Sequence, residues 1–174
     1  MTDASHTPDA PGAWQPLPEG RLQGRLLFAD LVRQALATAA VEGWPRLVLC
    51  DPDFLDWPLG ERAVVASLQA WARRGRVLQV LGQDLGPLRL QHPRFVQWRV
   101  TWAHLIEVRA CSSALAGDLP SAIWSPGWTL ERIDASHGVM VASRDARRHV
   151  ALAERLDHWW QKGSPSLPPT TLGL

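Results

Sequence analysis

The stretch Arg46-Leu47-Val48-Leu49-Cys50-Asp51-Pro52-Asp53 decides how this chain is read. A short apolar run is the pattern of a strand buried on both faces of a sheet. The turn signal Asp51-Pro52-Asp53 ends it. Residues 59–74 follow with helical spacing, carrying Val64, Leu68 and Trp71 on the inner face, and Gly75 supplies the residue that closes such a helix. The next apolar run, Arg76-Val77-Leu78-Gln79-Val80-Leu81, reads as a second strand. Strand, helix and strand of these lengths predict a right-handed βαβ unit with a parallel pair, so the chain is α/β.

Outward from this unit the pattern continues. Residues 22–42 carry Phe28, Val32, Leu36 and Ala39 on one helical stripe with Asp30, Gln34 and Thr38 opposite, and Gly43 and Pro45 stop the helix. On the other side Pro93 opens a helix whose Phe95, Trp98 and Trp102 share a face. Residues 105–111 alternate as a half-exposed strand, and 121–124, 128–133 and 139–142 read as three more strands. Pro126-Gly127 suits a type II turn, residues 134–138 make a second turn, and the strands form an antiparallel addition to the sheet. Ser143 is the expected cap of a last helix, with Asp145 in its first turn, Leu152, Leu156 and Trp159 on its core face and Gly163 after its end. The expected architecture is one unit with a mixed sheet, a βαβ parallel core, antiparallel additional strands and helices packed on it.

The length of 174 residues suits one domain with a real core. Hydrophobic residues at 46% and charged residues at 20% exclude a disordered chain. A net charge of +1 leaves no global field to draw the protein to nucleic acid or to a membrane. Of the 18 basic residues only Lys162 is lysine, a bias that a GC-rich genome produces without any function. Cys50 and Cys111 stand alone in apolar surroundings and read as buried thiols of a reduced, cytoplasmic protein rather than as a disulfide. No signal peptide and no apolar run of about 20 residues is present, so no membrane span is expected. Residues 1–20 hold four prolines and read as a flexible leader on which Trp14 and Leu17 can dock. Residues 21–162 form the α/β domain, and 163–174 a flexible tail.

The order of elements resembles one half of a phospholipase-D-like fold, and the sequence is similar to a group of uncharacterised bacterial domains of that type, some of them appended to N-acetyltransferase domains. The resemblance spans residues 26–164. It rests on Leu47-Val48-Leu49-Cys50-Asp51-Pro52, on Ala70-Trp71-Ala72-Arg73-Arg74-Gly75-Arg76-Val77, on His92-Pro93-Arg94-Phe95 with Ile106-Glu107-Val108-Arg109, and on Arg155-Leu156-Asp157-His158-Trp159-Trp160. It implies a fold whose active members use a histidine nucleophile with lysine and aspartate, paired across two such halves. The segment Ser121-Ala122-Ile123-Trp124-Ser125-Pro126-Gly127-Trp128-Thr129-Leu130 lies where that His-x-Lys and its later Asp would stand, and it holds none of them. His137 is followed by Gly138 and Val139, and His92 by Pro93 and Arg94. No catalytic residue is carried over.

Other chemistry finds little support. His104 with Glu107 and His149 with Asp145 are short spacings without the further ligands a zinc ion needs, so neither metal nor cofactor is expected. No Gly-x-Ser-x-Gly elbow and no phosphate-cradling glycine loop occurs. Asp51 and Asp53 sit where parallel strands end and where α/β sheets bind ligands, although the same residues simply shape a turn solvated by Asp56. Residues 89–109 interleave Arg89, Arg94, Arg99 and Arg109 with Phe95, Trp98 and Trp102, and add His92 and His104. Arginine forks and aromatic faces are the parts of a phosphate-binding, base-stacking surface, whereas the aromatic spacing is that of core packing beneath a solvated basic face. Trp159 and Trp160 cannot both face inward, so one belongs to a rim or interface.

The binding candidates are therefore Asp51, Asp53, His92, Arg94, Trp98, Arg99 and His104. The expected function is a non-catalytic phospholipase-D-like domain serving as a cytoplasmic binding or interaction module, through a protein partner or self-association. One alternative is a hydrolase or phosphotransfer enzyme with an atypical site near Asp51, Asp53 and Asp56. The other is a single-strand nucleic-acid binder using residues 89–109, which the near-zero charge disfavours.

Overall fold

The computed structural model describes residues 15–74, 76–115 and 117–168. The chain runs β1 (Gly20–Gln23), α1 (Leu27–Glu42), β2 (Arg46–Cys50), α2 (Arg62–Ala72), β3 (Val77–Gly82), α3 (Gly86–Gln91), α4 (Pro93–Thr101), β4 (Ile106–Ala110), β5 (Ser121–Trp124), β6 (Thr129–Asp134), β7 (Val139–Ser143), α5 (Ala146–Lys162) and β8 (Ser164–Pro165). The strands make one mixed sheet in the order β1-β7-β6-β5-β2-β3-β4-β8. β2, β3 and β4 are parallel, Leu47 lying opposite Leu78 and Leu78 opposite Ile106, and the other pairings are antiparallel.

Alternation along β2 divides the core. Leu47 and Leu49 face the layer of α1, α2 and α4, where Phe28, Leu36, Leu68, Trp71, Phe95 and Trp98 are buried. Val48 and Cys50 face Leu152, Leu156 and Trp160 of α5. Trp71 is fully buried, and its indole N–H donates to the Trp44 carbonyl at 2.7 Å. Gly43 ends α1 in the left-handed region at φ 73°. Gly138 is required in the β6–β7 turn: its φ is 64°, and a Cβ there would stand 2.9 Å from the backbone of Gly24 and Arg25.

Several expectations change. The first helix starts at Leu27, because residues 20–23 pair with β7 as an edge strand. Its alternation is too short and polar to stand out in the sequence. Short α3 was not expected. The Pro126-Gly127 turn is not type II, since Gly127 has no positive φ; the Ser125 hydroxyl instead accepts the Trp128 N–H at 3.0 Å. The cap of α5 is Asp145, whose carboxylate accepts from the backbone N–H groups of Arg147 and Arg148, and Ser143 belongs to β7. Trp160, not Trp159, is the buried member of that pair. Gly75, Trp14 and most of the leader and tail segments lie outside the described residues. Within the described chain, contacts pass both bounds of 21–162. Leu17 is buried, the Pro18 carbonyl accepts the Trp128 indole N–H at 2.9 Å, and Ser166 donates its N–H to Val108 at 2.9 Å.

Candidate functional site

The C-terminal end of β2 delivers Asp51, which is 1% exposed. Its Oδ1 accepts the backbone N–H groups of Asp53 at 3.1 Å and Phe54 at 2.8 Å, so the carboxylate closes the turn after the strand. Phe54 takes a φ of 60° in that turn. Oδ2 accepts the Ser121 hydroxyl at 2.5 Å and Arg132 Nη2 at 3.0 Å. Arg132 also donates from Nε to the Ser121 oxygen and from Nη1 to Asp56, each at 3.0 Å, and its guanidinium lies 4.3 Å from the Phe28 ring centroid. The result is a closed knot joining β2, β5 and β6. Both lone pairs of each Asp51 oxygen are engaged, which leaves none to take a proton from a substrate. The Ser121 proton is committed to the same carboxylate. A cleft of about 490 Å³ opens beside the knot, lined among others by Arg25, Phe28, Asp56, Arg132 and Ser136.

The other sequence candidates scatter. Asp53 Oδ1 accepts the Leu55 N–H at 3.0 Å as part of the turn. His92 is buried: Nδ1 accepts the Gly60 N–H at 3.0 Å and Nε2 donates to the Phe54 carbonyl at 2.9 Å, which fixes the neutral tautomer and pins two loops. Arg94 is exposed and donates to the Gly60 carbonyl. Phe95 and Trp98 are core residues, and the Trp98 and Trp102 indoles both donate to Gln69 Oε1. His104 is exposed beside Trp102. Arg99 is 5% exposed, and its Nε is buried with no hydrogen-bond partner among the described residues.

Exposed His137 forms a cluster that only superficially suggests catalysis. Ser136 and Asp134 both contact its Nδ1, at 3.0 and 2.8 Å, whereas a catalytic relay would use one ring nitrogen for each. Hydrogen bonds from Ser136 and His137 hold the Asp134 carboxyl well below the usual carboxylate range. Burial, reinforced by the charge of Asp51, pushes the Cys50 thiol well up, the opposite of what a nucleophile needs. Cys50 and Cys111 are both buried and free. Among the described residues no group of three metal-ligating side chains converges, and no helix is long and apolar enough to cross a membrane.

Ser121 and Arg132 were not singled out in the sequence, yet a signal exists. Period-two alternation in β6 puts Arg132 on the same face as Leu130, which is buried. An arginine on a core face demands a partner, and Asp51 is the carboxylate that meets it.

No family model and no curated protein matches the sequence. Solved structures match the fold. The archaeal chromatin protein TrmBL2, whose structure shows a mode of DNA binding, is similar over 90% of this chain with a TM-score of 0.65 at 13% identity. This chain spans 57% of that protein's length. Nuc from Salmonella typhimurium, a phospholipase D family member, is similar over 77% of this chain and 90% of its own, with a TM-score of 0.51 at 10% identity. The class is therefore a mixed α/β domain with a phospholipase-D-like fold.

Proposed function

We propose that this domain is a non-catalytic phospholipase-D-like module that binds a partner in the cytoplasm. The observation that carries the reading is the closed Asp51–Ser121–Arg132–Asp56 knot. It occupies the sheet end of a chain that lacks His-x-Lys, and the Asp51 carboxylate, the Ser121 hydroxyl and the Arg132 guanidinium are engaged within it and by the adjoining turn. This speaks equally against a hydrolase built on Asp51 and Asp53. The two separate, buried thiols support a reducing compartment. Turnover of bis-p-nitrophenyl phosphate by the purified chain is the test. The expected result is no hydrolysis above buffer. Hydrolysis that disappears in His137→Ala, an exposed position that leaves the core intact, would overturn the reading.

A second reading, DNA contact, is favoured by the likeness to a DNA-binding chromatin protein over 90% of this chain. Arg144, Arg147 and Arg148 are exposed at the start of α5 and offer cations for phosphates. Burial of Phe95 and Trp98 removes the stacking platform that residues 89–109 would need, so any contact would be with the backbone. Duplex binding measured against salt decides it: phosphate contacts give affinity that falls steeply as salt rises.

A further inference from the structure

Arg99 occupies the last turn of α4 and is 5% exposed. An arginine serving only the helix dipole would keep its head in water. Here the Nε is buried without a hydrogen-bond partner among the described residues, and burial pushes the guanidinium pKa down from its ordinary value. Arginine stays charged at any physiological pH, so the strain is not relieved by losing a proton. The side chain lines a cavity of about 540 Å³ between α4, β4 and the segment carrying β8. Ile106, Val108, Pro165 and Pro168 supply apolar wall. Arg109 lies at the same cavity but is engaged elsewhere, donating to the Trp160 carbonyl at 3.0 Å and stacking on the Trp160 ring at 4.7 Å. Glu107 lines it as an exposed carboxylate and makes no ion pair with Arg99.

We propose that this cavity binds an organic anion, a carboxylate or phosphate group on an apolar body, with Arg99 as its counter-ion. A buried Nε–H with no acceptor among the described residues, set beside apolar wall, has the polarity of an amphipathic acid reversed. The anion would supply the acceptor that Nε lacks, and the hydrocarbon would cover Ile106, Val108 and the two prolines. The site stands apart from the Asp51–Arg132 knot, so this inference and the module reading fail separately.

The test uses octanoate and octyl phosphate as probes and octanol as their neutral counterpart, titrated into the whole chain while the Arg99 Nε–H resonance is followed. At least one acid should bind saturably and move that resonance, and octanol should bind about ten- to a hundredfold more weakly. The tighter acid assigns the head group. Arg99→Met should lower the acid's affinity by a similar factor and leave octanol binding unchanged. Equal binding of octanol and the acids, an unmoved Arg99 resonance at saturation, full affinity in Arg99→Met, or no binding of either acid at millimolar concentration would each overturn the proposal. Should the variant fail to fold, the resonance of the wild-type chain decides alone.

Discussion

Arg132, largely covered with its side chain 9% exposed, and Arg99, buried at 5%, lie beside one sheet, and their surroundings are opposite. Arg132 reaches Asp51, Asp56 and Ser121 and stacks on Phe28. Arg99 holds its Nε buried with no partner among the described residues and borders a cavity. A charge brought out of water with a full set of partners fixes geometry, whereas one brought out of water without them costs stability and waits for a ligand. The first arrangement shows a sheet end where acid, hydroxyl and cation bind one another. The second marks a site where no motif stands.

The contrast can be broken most forcefully at the knot. Arg132→Met leaves the Asp51 carboxylate buried without its cation and should cost about 3–5 kcal/mol in urea unfolding. A loss below about 1 kcal/mol would mean the knot does not hold β2 to β6. His92→Leu strips the Gly60 N–H and the Phe54 carbonyl of their shared partner and should cost about 1–3 kcal/mol by the same measurement. Arg99→Met should act in the other direction, raising stability by about 1–2 kcal/mol, which for a chain of this size is a rise of roughly 2–8 °C in Tm. A fall in Tm would show that Arg99 already has its partners.

The smallest effect belongs to the exposed pair of Arg33 and Glu61, whose closest contact is 2.7 Å. Arg33→Ala should cost less than about 1 kcal/mol, because water screens both groups. The hydrogen bond from Arg33 lowers the Glu61 pKa, so the pair stabilises the fold above the ordinary carboxylate range and loses that contribution as pH falls through the depressed value. The difference between wild type and Arg33→Ala, followed by urea midpoints from pH 7 downward, should therefore shrink toward acid. A gap that widens would reverse the sign.

Local pattern carried much of the architecture. The apolar run at Arg46–Cys50, the stripes of Phe28 and Val32 or Val64, Leu68 and Trp71, and Gly43 after α1 each encode their element within a few residues. β1 and β8 escaped because four and two residues carry too little periodicity, and their partners lie far away in the chain. Arg99 was half legible. Phe95, Trp98, Arg99 and Trp102 fall at positions i, i+3, i+4 and i+7 of one stripe, but Arg99 could equally have belonged to the solvated face. Only the packed structure, in which Arg99 is 5% exposed, shows which.

The sequence by itself determined the α/β class, the parallel βαβ centre, the helix-capping glycine at Gly43 and the absence of His-x-Lys, because these are properties of neighbouring residues. Tertiary structure alone decided that Arg132 meets Asp51, 81 residues away, that Trp160 rather than Trp159 turns inward, and that the Arg99 Nε is buried without a partner among the described residues. Burial and charge pairing depend on which surfaces meet after the sheet has formed, and no local spacing carries that information.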